Sequence, residues 1–339
     1  MTIIGRRNWK GVAISSDGSK RTAADNANYL WTSSDYGTTW TQDASIGAQK
    51  NWRGVAMSGD GSTQLAFGDS SVGVYISADA GATWTNRNPT PPHLTSWQNA
   101  ALSADGVHIT MVKYFTGSIY TSADSGVTWT SRAPSKTFTD IAMSSDGSQQ
   151  TAVTDGVGGG GDNIWRSSDS GATWTEVTGT TASWNCVAMS DDGVKQVAAT
   201  YSANIWYSAD AGATWTEVTG LERGVGYSGP TPIPHWAGLS ASSDGSRIVA
   251  NAYQENIWYS VDSGKLHPRP QASTPTALPP TLGPGPSAPS LCRDAKQALC
   301  HAPPLVTRSH LDRRNTDQRR QKLDRHRNEF RRLPHGSDG

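Results

Sequence analysis

Two carboxylates facing each other across a groove suffice to cleave a glycosidic bond, one as acid and the other as base or nucleophile. Five acids stand where such a pair would be sought: Asp69, Asp155, Asp162, Glu222 and Glu255. Each falls between strand-like stretches, in or beside a predicted loop. Aromatic and basic residues share those segments: Tyr114, Phe115, Tyr201, Tyr227 and Tyr253, with Arg223 and His235. Such rings stack on sugars or anchor a peptide, so the same residues also suit a binding surface. Spacing alone pairs no two of the acids, and ordinary surface acids are the competing reading.

Other motifs carry less. Gly156 to Gly161 reads G-x-G-x-x-G, but a dinucleotide site needs a helix immediately afterwards. Asp162-Asn163-Ile164-Trp165 follows instead, a strand-like run, so the glycines read as a loop and no cofactor is expected. Asp155 and Asp162 flank that loop and have the oxygen chemistry calcium takes, although two solvated acids are the plainer reading. His93 and His235 are far apart, H-E-x-x-H is absent, and no metal is expected. There is no G-x-S-x-G elbow.

The elements that would position these residues come from internal repetition. One motif, S-x-D-x-G-x-T-W, appears five times, with its aspartate at Asp35, Asp79, Asp124, Asp169 and Asp210. A sixth copy begins at Ser260, Asp262, Gly264 and then fails at Lys265-Leu266. The steps between these aspartates are 44, 45, 45, 41 and 52 residues. A second motif, W-x-x-V-A-M-S-x-D-G in its fullest form, precedes each copy and opens at Trp9, Trp52, Trp97, Phe138, Trp184 or Trp236. Each repeat therefore parses into four short strands, A to D. In the second repeat these are Trp52–Ser58, a stretch near Gln64–Gly68, Val74–Ser77 and Thr83–Arg87. Four strands at this period predict an all-β propeller of about six blades, near 7–43, 50–88, 95–132, 136–178, 182–219 and 234–264, the sixth incomplete.

The repeated motif resembles the Asp-box, or BNR, repeat of sialidase-like propellers. The same box occurs in sialidases, some endoglucanases, sortilin-type receptors and the photosystem II assembly factor. The resemblance spans about 260 residues and implies fold far more than activity, because those families do unrelated things. It implies an arginine triad and a Tyr–Glu pair for a sialidase. The R-I-P stretch that opens that set is missing: Arg6-Arg7 is followed by Asn8-Trp9.

The box aspartates read as hairpin supports, each accepting from backbone amides of its own turn, with the glycine two residues on supplying positive φ. Truncating a box tryptophan is expected to cost about 3–5 kcal/mol. In a four-stranded blade the A–B turns and the boxes share one rim. The B–C loops (68–73, 114–118, 154–162, 200–203, 252–255) and the D–A connections (44–51, 87–96, 133–137, 178–183, 218–235) share the other face. They vary on a constant scaffold, so the binding site belongs there. The reading is a non-catalytic scaffold that binds a protein or a glycan, with a carbohydrate-active hydrolase as the alternative.

Composition divides the chain. Residues 1–264 hold 15 Lys and Arg against 23 Asp and Glu, and all 14 tryptophans; residues 265–339 hold 14 against 6. Loss of register in mid-motif points to a frameshift or a misjoined exon at codon 265, against a genuine disordered Pro- and Arg-rich tail. A single aromatic, Phe330, interleaves the tail arginines, which argues against nucleic acid. No apolar run approaches the roughly 20 residues of a membrane span, and residues 1–10 hold no secretory core. A soluble monomer is expected.

Overall fold

The computed structural model describes residues 7–89, 96–113, 117–156, 161–201, 204–218, 236–252, 257–260 and 267–268. The chain divides into two compact units, Met1–Ala302 and Pro303–Gly339, and the second lies outside the described residues. The first unit is a series of six four-stranded antiparallel blades. The first blade is β1 (Trp9–Ile14), β2 (Arg21–Asp25), β3 (Leu30–Ser33) and β4 (Thr41–Gln42), and the second is β5 (Trp52–Met57), β6 (Gln64–Gly68), β7 (Val74–Ser77) and β8 (Thr85–Asn86). The third is β9 (Trp97–Leu102), β10 (Ile109–Lys113), β11 (Gly117–Ser122) and β12 (Thr130–Lys136), and the fourth is β13 (Phe138–Met143), β14 (Gln150–Thr154), β15 (Asp162–Ser167) and β16 (Thr175–Ala182). The fifth is β17 (Trp184–Met189), β18 (Gln196–Thr200), β19 (Ile205–Ser208) and β20 (Thr216–Glu217). The sixth has β21 (Trp236–Ala241), β22 (Ile248–Ala252) and β23 (Ile257–Ser260) from its repeat, and its outer position holds only the two residues of β24 (His267–Pro268).

Two D–A connections differ from the sequence reading. Residues 133–136 and 178–182 continue the outer strands β12 and β16, leaving Thr137 and Ser183 as single-residue links. The extra length pairs across the sheet, Gly117 with Lys136 and Asp162 with Ala182, so a third strand that starts early holds its outer neighbour in the ladder.

Every inner strand carries the same irregularity. Trp52 pairs with Gly68 but Gly54 with Phe67, and the corresponding shift recurs in the other five blades. This is a β-bulge, which adds local twist. At Gly54 a side chain would force the neighbouring strand to shift: a Cβ would lie 2.4 Å from the Phe67 ring.

The second strands of the second to fifth blades are buried on both sides because a blade lies against each face. One face, set by the second and fourth residues of the strand, packs forward. The other, set by the first, third and fifth residues, packs back. Thus Val197, Ala199 and Ile205 of the fifth blade meet Trp236, Ile248, Ala250 and Trp258 of the sixth. Leu65, Phe67 and Val74 of the second meet Trp97, Ile109, Met111 and Tyr120 of the third. Five such cores separate the six blades in turn. Buried hydroxyl-to-amide bonds cross three of these seams: Thr22 to Gln64 (2.6 Å), Thr110 to Gln150 and Thr151 to Gln196 (both 2.7 Å).

Burial corrects the expectation for the tryptophans. Those opening the inner strands, Trp52, Trp97, Trp184 and Trp236, are 1–3% exposed. Of the box tryptophans only Trp84 is buried; Trp40, Trp129, Trp174 and Trp215 are half-buried. A cost of 3–5 kcal/mol therefore belongs to the inner set, and the box set costs less, in proportion to the area it hides.

Candidate functional site

The two rims differ in chemistry. On the box rim each carboxylate is saturated by its own hairpin. Asp79 Oδ1 accepts from the Thr83 amide (2.8 Å) and the Ser77 hydroxyl (2.7 Å), and its Oδ2 accepts from the Thr83 hydroxyl (2.6 Å). Ser77 Oγ in turn accepts from the Gly81 amide (2.8 Å). The same set recurs around Asp35, Asp124, Asp169 and Asp210, while Asp262 lies outside the described residues. The Thr39 hydroxyl and amide hold the Asp35 carboxyl at a pKa of about 2, and Thr83 does the same for Asp79. Burial works against the shift at Asp124 and Asp210, but the bonds from Thr128 and Thr214 outweigh it and both acids stay below the usual range. Acids held this way are ionised hydrogen-bond acceptors, the opposite of a proton donor at neutral pH.

The loop face is built from the starts of the inner strands and the ends of the second strands. Of the acids read from the sequence, Asp155 is half-buried after β14, its amide bonded to the Thr137 carbonyl at 2.9 Å. Asp162 is not in a loop: it is the first residue of β15, and its carboxylate pairs with Lys136 Nζ at 3.0 Å and accepts from the Asn163 amide at 2.8 Å. Asn163 continues the network to Glu176 (2.8 Å) and Thr181 (2.9 Å). Tyr201 is 55% exposed beyond β18, its amide bonded to Ser183. Tyr114, Phe115, Glu222, Arg223, Tyr227, His235, Tyr253, Glu255 and His93 lie outside the described residues. Among the described residues no three His, Cys, Asp or Glu side chains gather as metal ligands.

The sequence reading missed a row of cations on this face. Arg7 lies over the Trp31 ring, 4.5 Å from its centre, and pairs with Asp25 at 3.1 Å. Lys50 Nζ stands 5.3 Å from the Tyr75 ring centre. Lys113, the last residue of β10, is 2% exposed, with its amine 4.6 Å from the ring centres of both Trp97 and Tyr120. Burial pushes its pKa down to about 8. Lys136 completes the row through Asp162. The sequence did hold a signal: Arg7, Lys50 and Lys136 each precede by two residues the aromatic that opens an inner strand. In the third repeat that position is Thr95 and the charge moves to Lys113. Lys50 and Lys113 are in neither of the two ion pairs among the described residues. Their amines are held on aromatic faces, a contact in which the ring quadrupole attracts the cation.

Residues 30–42, the hairpin of β3 and β4, match the BNR-Asp box repeat family. The chain is a β-propeller that carries a BNR-Asp box repeat in its first blade. No curated protein matches it by sequence. Among solved structures it is similar to the GH74 xyloglucanase from Xanthomonas campestris, at 17% identity and TM-score 0.60 over 76% of this chain and 46% of that one. It therefore spans less than half of the xyloglucanase. It is also similar to YCF48 from Cyanidioschyzon merolae, at 13% identity and TM-score 0.59 over 81% of this chain and 89% of that one. YCF48 bound to D1 peptide aligns at 15% identity and TM-score 0.56, over 79% and 87%. At these identities the likeness is one of fold. Among the described residues no helix is long and apolar enough to cross a membrane.

Proposed function

We propose that the propeller is a binding scaffold that takes an extended, acidic protein segment on its loop face, while the box rim keeps the hairpins together. The observation that carries this reading is the pair of amines, Lys50 and Lys113, held over aromatic rings with no carboxylate paired to them among the described residues. A half-buried ring beside a cation, as at Tyr75 and Lys50, offers a peptide both an apolar anchor and a charge, the combination that concentrates binding energy. The peptide captured on YCF48, a propeller of similar fold, is in keeping with it. The hydrolase alternative has weaker support, since the Asp162 carboxylate is held in an ion pair with Lys136 at 3.0 Å.

A displayed library of random peptides panned against the full chain tests this. Acidic sequences are expected to be enriched, and Lys50→Met with Lys113→Met to weaken the best of them by roughly tenfold or more. Enrichment indifferent to both lysines, or reducing ends released from xyloglucan by the purified chain, would overturn the proposal.

A further inference from the structure

The inter-blade packing stops one seam short. Position by position, the forward face of the sixth blade is bare. The second residue of the second strand is Thr22, Leu65, Thr110, Thr151 or Val197 in the first five blades, each at most 1% exposed; in the sixth it is Val249, at 46%. The apolar residue at or near the start of the third strand is Leu30, Val74, Ile119, Ile164 or Ile205, again at most 1% exposed; in the sixth it is Ile257, at 50%. The backward face of the first blade is open in the complementary places. Trp9 is half-buried where Trp52, Trp97, Phe138, Trp184 and Trp236 are buried. Arg21 is half-buried where Gln64, Ile109, Gln150, Gln196 and Ile248 are buried.

The box rim tells the same story independently. A relay of backbone bonds steps from each A–B turn to the next: Ser16 to Gly59 (2.7 Å), Gly59 to Ala104 (2.7 Å), Ala104 to Ser145 (2.7 Å), Ser145 to Asp191 (2.7 Å) and Asp191 to Ser243 (2.8 Å). Among the described residues the Ser243 amide makes no sixth step to the first blade. The turn glycines agree. A Cβ on Gly61, Gly106, Gly147, Gly193 or Gly245 would strike Lys20, Thr63, His108, Gln149 or Lys195 of the preceding blade at 2.5–2.9 Å. On Gly18 it would meet only Tyr36 of its own blade, and Arg247, the sixth member of the series, is exposed.

We propose that these two faces are the walls of a seat for a seventh Asp-box blade, supplied by a reading of the message beyond Gly264 that completes the box. One blade has both a backward and a forward face, so a single insertion satisfies Val249, Ile257 and the Ser243 amide on one side and Trp9, Arg21 and Gly18 on the other. Residues 265–339 as they stand do not supply it: the repeat breaks in mid-motif, and no Trp or Tyr follows to fill the position of Trp52 or Tyr75. A second copy of the chain would cover one wall and leave the other bare, an interface of the open-ended, head-to-tail kind.

The test compares the 339-residue chain with one in which everything after Gly264 is replaced by residues 213–217 followed by residues 44–88. The longer propeller is expected to melt higher. Val249→Lys should move the melting temperature of the 339-residue chain by no more than about 1 °C, as at an exposed site, and lower that of the seven-repeat chain by at least about 5 °C, as for a buried charge. Equal tolerance of Val249→Lys in both chains overturns the proposal. So does sedimentation of the 339-residue chain as an oligomer that Val249→Lys dissociates, since a second copy would then be the occupant. If the seven-repeat chain does not fold, the message decides. A frame that restores x-T-W after Gly264 and runs into another aromatic-led repeat upholds the seat, and Lys265-Leu266 with no such frame downstream overturns it.

Discussion

At the scale of single residues, Lys113 is where burial and charge conflict. Its amine is nearly out of solvent, and burial brings its pKa to about 8. The unfolded chain titrates near the ordinary lysine value of about 10.4. Below pH 8 both states hold the proton, and the folded state bears the cost of a desolvated cation. Between about pH 8 and 10.4 only the unfolded chain still holds it, so stability contributed at this site rises with pH across that window. Lys113→Met keeps the volume and discards the charge. It is expected to melt higher than the parent at pH 7, with the gap closing by pH 10. Thermal melts at pH 7, 9 and 10 check this. A variant that melts lower at pH 7 would mean that the attraction of Trp97 and Tyr120 for the cation exceeds its desolvation cost.

At the scale of elements, the box hairpin and the inner strand divide the labour. In the hairpin the residue after each Asp is left-handed, with Tyr36, Ala80, Ser125, Ser170 and Ala211 at φ of 55–60°, and the glycine beyond follows at 76–88°. Gly81→Ala adds a Cβ at φ +88°, 2.9 Å from the Gln64 carboxamide oxygen and 2.8 Å from Thr32. A cost of about 2 kcal/mol is expected, read as a lower midpoint in urea. In the inner strand, Trp184 is 1% exposed, stands edge-on to Trp206 with ring centres 5.9 Å apart, and donates to the Thr180 carbonyl at 2.9 Å. Trp184→Ala is expected to cost about 3–5 kcal/mol and Trp40→Ala clearly less, in the same titration. The punctuation of these elements was legible in the sequence, because D-G turns and boxes impose their own local geometry; β6 and β7 fall where the motifs place them. What local pattern does not encode stayed hidden. The lengths of β12 and β16 are decided by partners across the sheet. The left-handed residue of each box is of no fixed type. Lys113 acquires its meaning only when rings from β9 and β11 converge on it.

At the scale of the whole molecule, acid stability should be the sum of many small, similar terms. The A–B turns repeat the logic of the boxes: Ser15 and Ser19 hold Asp17 at about 2, and Ser58 and Ser62 hold Asp60 there. Asp105, Asp146, Asp192 and Asp244 are lowered in the same way by their own serines and turn amides. A carboxyl whose folded pKa lies below its unfolded value of about 4 contributes stability in full above that value and loses it as pH falls through the folded one. The melting temperature is therefore expected to be level from about pH 7 to 5 and to fall steeply between about pH 4 and 2. The donors are hydroxyls and backbone amides rather than charged groups, so added salt should leave the acid limb in place, whereas a surface held by ion pairs would shift with ionic strength. Replacing Thr39, Thr83, Thr128, Thr173 and Thr214 together by alanine removes one hydroxyl donor from each described box and keeps the amide. That chain is expected to be less stable at pH 7 and to lose less of its stability on going to pH 2, a difference in slope that melts followed by circular dichroism across the range would read. Parallel acid limbs in parent and variant would mean that the box hydroxyls do not hold these carboxylates down, and that the acid sensitivity arises elsewhere in the fold.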